Sequence, residues 1–321
     1  MCLPIFQKHP LLLLFVFLLS SFSAGCASQK TFSDPDLAVD ALVSSFRTND
    51  QDQTRRILGP AGDELLFSGD PVEVQTGLQK FLHAYDEKHE LSANDDGTVT
   101  LSVGDDEWPM PIPLAKNDKN AWYFDTEAGK DEILNRRIGR NELDTIQTML
   151  AINDAQREYA ETDPDHDGVP AYAQKFLSDP GKKNGLYWQT KEGEPDSPLG
   201  PLVATAASQG YTHATNDEPQ PYRGYFYHML TAQGPSAPGG ARDYIVNGQM
   251  LGGFAVVAYP ATYGNSGIMT FIINQDGTVY QRDLGEDTAK LAIQITTFDP
   301  DDNWKKVDAK DETPPTTQPA N

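Results

Sequence analysis

Asn141-Glu142-Leu143-Asp144-Thr145-Ile146-Gln147-Thr148-Met149-Leu150-Ala151-Ile152-Asn153-Asp154-Ala155-Gln156-Arg157-Glu158-Tyr159 is the most regular stretch of the chain. Leu143, Ile146, Leu150, Ile152, Ala155 and Tyr159 form an apolar stripe, so the stretch reads as an amphipathic helix opening at Asn141. Downstream the period changes. Gly224–Leu230, Tyr244–Val246, Gly253–Tyr259, Gly267–Ile273 and Thr278–Asp283 are short apolar or alternating runs, with turns at Asn247-Gly248 and Gln275-Asp276-Gly277. A helix followed by such strands predicts an antiparallel meander with the helix covering one face.

Upstream, Ser33 is expected to cap a helix that has Pro35 in its first turn and Ala38, Ala41, Leu42 and Phe46 on one face. Helices are also expected over Gln51–Leu58 and Val74–Tyr85. Glu90–Ala93 and Thr98–Val103 flank a hairpin signal at Asn94-Asp95-Asp96-Gly97, and Trp108–Leu114 and Ala121–Phe124 add two strands. The fold class is therefore α+β, and the chain divides into an N-terminal unit over residues 34–130 and a C-terminal unit over residues 131–308. A tail with Pro314, Pro315 and Pro319 over residues 309–321 reads as disordered. Helices followed by a curved antiparallel sheet resemble the cone-like nuclear-transport-factor-2 architecture, an analogy of fold that carries no activity.

The 321 residues include 25 Lys+Arg against 47 Asp+Glu, a formal charge of −22. Such acidity argues against nucleic acid as a partner, because phosphate binding needs clustered basic residues. Two cysteines make no disulfide scaffold. Residues 1–26 read as an export signal: Lys8, then the apolar run from Leu11 to Leu19, then Ser23-Ala24-Gly25-Cys26. That run is shorter than the roughly 20 residues that span a bilayer. The ending resembles the bacterial lipobox, with Ser23 where the pattern usually has Leu, and the resemblance implies diacylation of Cys26 at the mature N-terminus. Ordinary secretion is the alternative. Residues 27–33 would then be a polar tether, and Ala27, by resemblance to lipoprotein sorting signals, favours the outer membrane. The expected location is the periplasmic side of the envelope, on a lipid anchor.

Two wider resemblances follow. Asn141-Glu142 with Ile152-Asn153-Asp154-Ala155-Gln156-Arg157-Glu158-Tyr159, and the strands after it, resemble type IV pilin and type II secretion pseudopilin ectodomains over residues 141–285. The N-terminal filament-forming helix of those proteins is replaced here by a whole unit, so assembly is not implied. Across nearly the whole mature chain, Ser68-Gly69-Asp70-Pro71, Trp108-Pro109-Met110-Pro111-Ile112-Pro113, Arg136-Arg137-Ile138-Gly139-Arg140-Asn141-Glu142-Leu143, Gly185-Leu186-Tyr187-Trp188 and Asn247-Gly248-Gln249-Met250-Leu251-Gly252-Gly253-Phe254 resemble the bacterial envelope family "domain of unknown function 2950". That resemblance implies an exported envelope protein.

The sharpest local constellation is Asp163-Pro164-Asp165-His166-Asp167-Gly168-Val169. Carboxylates at Asp163, Asp165 and Asp167, with the Val169 carbonyl, match the first half of a calcium loop between helices at 141–159 and 171–177. Gln174 stands where a bidentate Glu belongs, so binding is expected in the millimolar range. A solvated Asp-rich turn is the other reading. Glu132 to Arg140 is the most basic stretch, read either as a solvated helix face paired with carboxylates or as an inter-domain clamp or anion site. His83, His89, His166, His213 and His228 show no zinc spacing. Tyr222–Tyr227, Tyr187 and Trp188 read either as groove-lining or as core. No residue stands out as catalytic. The expectation is a lipid-anchored, non-catalytic binding or structural component whose partner is an envelope protein or a small ligand. The alternative is a hydrolase with its site between the units, near Arg136–Arg140 and Trp188.

Overall fold

The computed structural model describes residues 29–66, 69–164, 166, 168–211 and 220–307. Cys26 and the tail therefore lie outside the described residues. In the N-terminal unit α1 (Pro35–Arg47), α2 (Gln51–Leu58), α3 (Gly62–Leu66) and α4 (Pro71–Glu87) precede β1 (His89–Ala93), β2 (Val99–Val103), β3 (Trp108–Pro109), β4 (Leu114–Lys116) and β5 (Trp122–Phe124). The sheet order is β1-β2-β4-β5, with β3 also on β2 and every pairing antiparallel. The cap of α1 is Asp34 rather than Ser33: its carboxylate accepts the Asp36 N–H at 2.9 Å, and Pro35 takes the first helical position. Leu42, Ile57, Leu101, Ile112, Leu114 and Phe124 form the core of this unit.

One helix then joins the two units. α5 (Thr126–Thr162) runs unbroken for 37 residues from the Asp125 cap to Asp163, whose φ of 44° ends it in the left-handed region. Its start corrects the expected opening at Asn141, and the boundary expected at 131 falls within it. The first turns hold because Gly129 lies against the Pro111–Ile112 backbone, where a Cβ would meet the Pro111 oxygen at 2.2 Å.

The C-terminal unit holds α6 (Gly200–Ser208), β6 (Tyr225–Leu230), β7 (Ala232–Gln233), β8 (Arg242–Asp243), β9 (Ile245–Val246), β10 (Gln249–Met250), β11 (Ala255–Pro260), β12 (Met269–Asn274), β13 (Val279–Asp283), α7 (Thr288–Ile293), β14 (Thr297–Phe298) and β15 (Lys305–Lys306). The meander is β6-β11-β12-β13-β15, antiparallel throughout, with Ala258 opposite Tyr227 and Val257 opposite Ile272. α5 covers one face as expected: Ile146, Met149, Ile152 and Tyr159 pack on Tyr225, Val256, Ala258, Phe271 and Ile273. The opposite face carries a second core of Leu230, Tyr244, Phe254, Val257, Ile272 and Phe298. Burial on both faces explains why β11 reads as continuous apolar sequence rather than alternation. The chain is an α+β protein. Among the described residues, no helix is long and apolar enough to cross a membrane.

Candidate functional site

The helical period places Ile133, Arg136, Arg137 and Arg140 on the face of α5 that looks toward α4. α4 answers with Glu73, Val74, Gly77, Leu78, Lys80, Phe81 and Ala84. Between them lies a groove of about 480 Å³, closed at its sides by Leu65 and Leu66 of α3, Val103 of β2 and Trp108 of β3. Its floor is apolar and its rim is cationic. Trp108 remains 40% exposed at the mouth.

The three arginines differ. Arg136 donates from Nε to Glu132 at 2.6 Å, and its guanidinium lies 5.7 Å from the Trp108 ring centre. Arg140 donates to Glu73 at 2.7 Å. Arg137 donates to neutral oxygens only: Asn265 Oδ1 at 2.6 Å, the Glu64 carbonyl at 3.2 Å and the Leu65 carbonyl at 2.5 Å. Burial pushes its guanidinium below the usual arginine value; Glu73 opposes this, and the charge of Arg140 adds to it. Both readings of the basic stretch thus find a place, with Arg136 and Arg140 paired to carboxylates and Arg137 clamping the units.

The clamp has company at the junction. Asp70, 1% exposed, caps α4 through the Val72 and Glu73 N–H groups, each at 3.1 Å. Its other oxygen accepts Tyr211 O–H at 2.8 Å and Gly224 N–H at 2.9 Å. Asn141 donates to Glu73 at 3.1 Å and to the Ser266 carbonyl at 3.0 Å, while Glu142 accepts the N–H groups of Ile268 and Met269. The Asn-Glu pair is therefore a junction element in the middle of a helix.

The remaining sequence candidates are scattered. Asp163 accepts Gly168 N–H at 3.0 Å, but Asp165 and Asp167 lie outside the described residues. The helix expected over 171–177 is absent, which corrects the helix–loop–helix frame. Tyr172 bridges to Met250, Leu177 bridges to Tyr187, and Gln174 donates to the Gly248 carbonyl. Among the described residues, no group of three or more His, Cys, Asp or Glu side chains is placed to hold a metal. His83 faces Glu87, His89 stacks on Tyr85 and His228 bonds the Ile295 carbonyl, each in a separate setting. Trp188 does not meet Arg136–Arg140; it lines a different, polar cavity with Lys183 over its ring at 5.3 Å. Tyr222, Phe226 and Tyr227 line a third cavity with Leu199, Leu202 and Val203, while Tyr225 is fully buried in the core. The face of α4 went unread in the sequence, although Gly77 inside its helical run signals it.

A family model described as "Protein of unknown function (DUF2950)" matches residues 29–307, every element from the first bridge at Phe32 to β15. The chain belongs to this family. No curated protein and no solved structure matches it. The resemblances to pilin ectodomains and to the nuclear-transport-factor-2 architecture thus gain no support from a solved fold, and the family supplies no reaction.

Proposed function

We propose that this member of the family is a lipid-anchored envelope protein of the periplasmic side, held in the outer membrane through Cys26, and that it acts as a non-catalytic binding component. The observation that carries the binding reading is the groove between α4 and α5. At about 480 Å³ it falls within the size of small-molecule sites, and it joins an apolar floor to a few charged groups. The anchor reading rests on the signal ending at Gly25-Cys26. Several acyl chains on one residue give durable attachment, since each buried methylene contributes about 0.8 kcal/mol.

Two experiments test the two halves. An uncharged solvatochromic dye is expected to brighten on the wild-type protein and not on Gly77→Phe, which fills the groove from α4; equal brightening refutes the groove as a ligand seat. Cys26→Ala is expected to release the protein from the membrane fraction, and unchanged fractionation refutes the anchor.

A further inference from the structure

We infer that the α4–α5 groove takes a single-chain amphiphile with a carboxylate head, its tail along Val74, Leu78, Phe81 and Trp108 and its head at Arg137. This rests on the groove being the ligand seat proposed above.

The charge balance at the rim selects the head. Glu73 takes Arg140 and Glu132 takes Arg136, and Lys80 stands exposed at the edge of the groove, which leaves Arg137 as the half-buried cation without a carboxylate partner. Among the described residues, no carboxylate lies within ion-pair distance of Arg137, and its Nε–H has no acceptor. A half-buried guanidinium with an exposed ammonium nearby favours an anionic head over a neutral or cationic one. A planar guanidinium edge suits a carboxylate, and a half-buried one gains most from it because water competes least. In a chain of net charge −22 the wider field repels anions, so a local guanidinium is what such a head requires.

The floor selects the tail. Val74, Leu78, Phe81, Val103, Trp108 and Ile133 present apolar side chains between two helices. An acidic peptide fits this lining poorly, because its backbone N–H and C=O groups would be desolvated without partners. An alkyl chain has none to satisfy. Gly77 provides the room: it sits inside α4, where helices disfavour glycine, and a Cβ built there meets nothing within 4 Å.

The test is calorimetric titration of the full chain carrying Cys26→Ala with dodecanoate, dodecanol and dodecylammonium. Dodecanoate is expected to bind about tenfold or more tightly than dodecanol, the scale of a hydrogen bond to a charged group, with dodecylammonium weakest. Gly77→Phe is expected to abolish binding of all three. Arg137→Met, checked for a native melting profile, is expected to bring dodecanoate down to the affinity of dodecanol. Equal affinity for the three heads, with Gly77→Phe still blocking, overturns the carboxylate assignment and leaves the groove standing. Binding that persists in Gly77→Phe, or no binding of any head, overturns the groove itself. A glutamate-rich peptide that outcompetes dodecanoate overturns the choice of an amphiphile.

Discussion

The Asp70 carboxylate accepts the backbone N–H of Gly224 at 2.9 Å, across 154 residues of sequence. One side chain thus caps α4 in the first unit and pins the start of β6 in the second. Asp70→Ala removes the cap and strands the Tyr211 and Gly224 donors in a buried site. The expected loss is about 3 kcal/mol, read as a lower urea midpoint at unchanged slope. Asp70→Asn keeps a good capping residue and is expected to cost less. Equal stability of wild type and Asp70→Ala would show that the junction contributes nothing.

Two helical glycines are expected to respond in opposite directions. Gly77→Ala adds a methyl into open groove and removes a helix-interior glycine, so stability rises by roughly 0.5–1 kcal/mol. Gly129→Ala drives a methyl into the Pro111 and Ile112 backbone and costs about 2 kcal/mol or more. Thermal melts of both variants settle the signs; a shared sign is inconsistent with these packings.

Buried tyrosines set the alkaline limit. Burial pushes Tyr244 up to about 12, against the opposing pull of Arg242, and also raises Tyr225 and Tyr227. A folded pKa above the ordinary value of 10.0 means the folded state holds its proton more tightly. That stability is complete below pH 10 and is lost as the pH rises through about 12. Phenolate absorbance followed with circular dichroism is expected to show these tyrosines ionising together with unfolding. Titration of all tyrosines near 10 in a still-folded chain contradicts this.

Calcium binding at the loop that begins at Asp163 is expected to be weak, in the roughly millimolar range of extracellular sites. Calorimetry on the mature chain should register heat that Asp163→Ala removes. No heat at millimolar calcium refutes the loop as a cation site.

Local signals carried much of the fold. α2 lies over Gln51–Leu58 as read from its spacing, the Asn94–Gly97 turn joins β1 to β2, and β6, β11, β12 and β13 fall within a residue or two of their apolar runs. The Tyr244–Val246 run, in contrast, pairs in a separate two-stranded sheet, and the edge strand β15, a Lys-Lys pair, has no apolar run to signal it. Three misreadings have identifiable causes. The first half of α5 is a charged run without a full apolar stripe, held by the Asp125 cap and the Gly129 contact, both matters of tertiary fit. Asn141-Glu142 looks like a helix start because such residues cap helices, yet both side chains turn sideways to the Ser266–Met269 segment. The run at 171–177 has helical spacing, but the Gln156 amide takes both the N–H and the carbonyl of Ala173, the groups a helix needs. The groove was legible only as parts: a basic run on one helix and a glycine on another, whose meeting depends on how α4 packs against α5.

Mass spectrometry of the organic extract of the purified chain tests the binding assignment most directly. The wild-type chain is expected to carry a long-chain carboxylate amphiphile in near-stoichiometric amount, and Gly77→Phe to carry little or none. Equal loads on the two chains, or an empty wild type, contradict the assignment of the α4–α5 groove as the ligand seat.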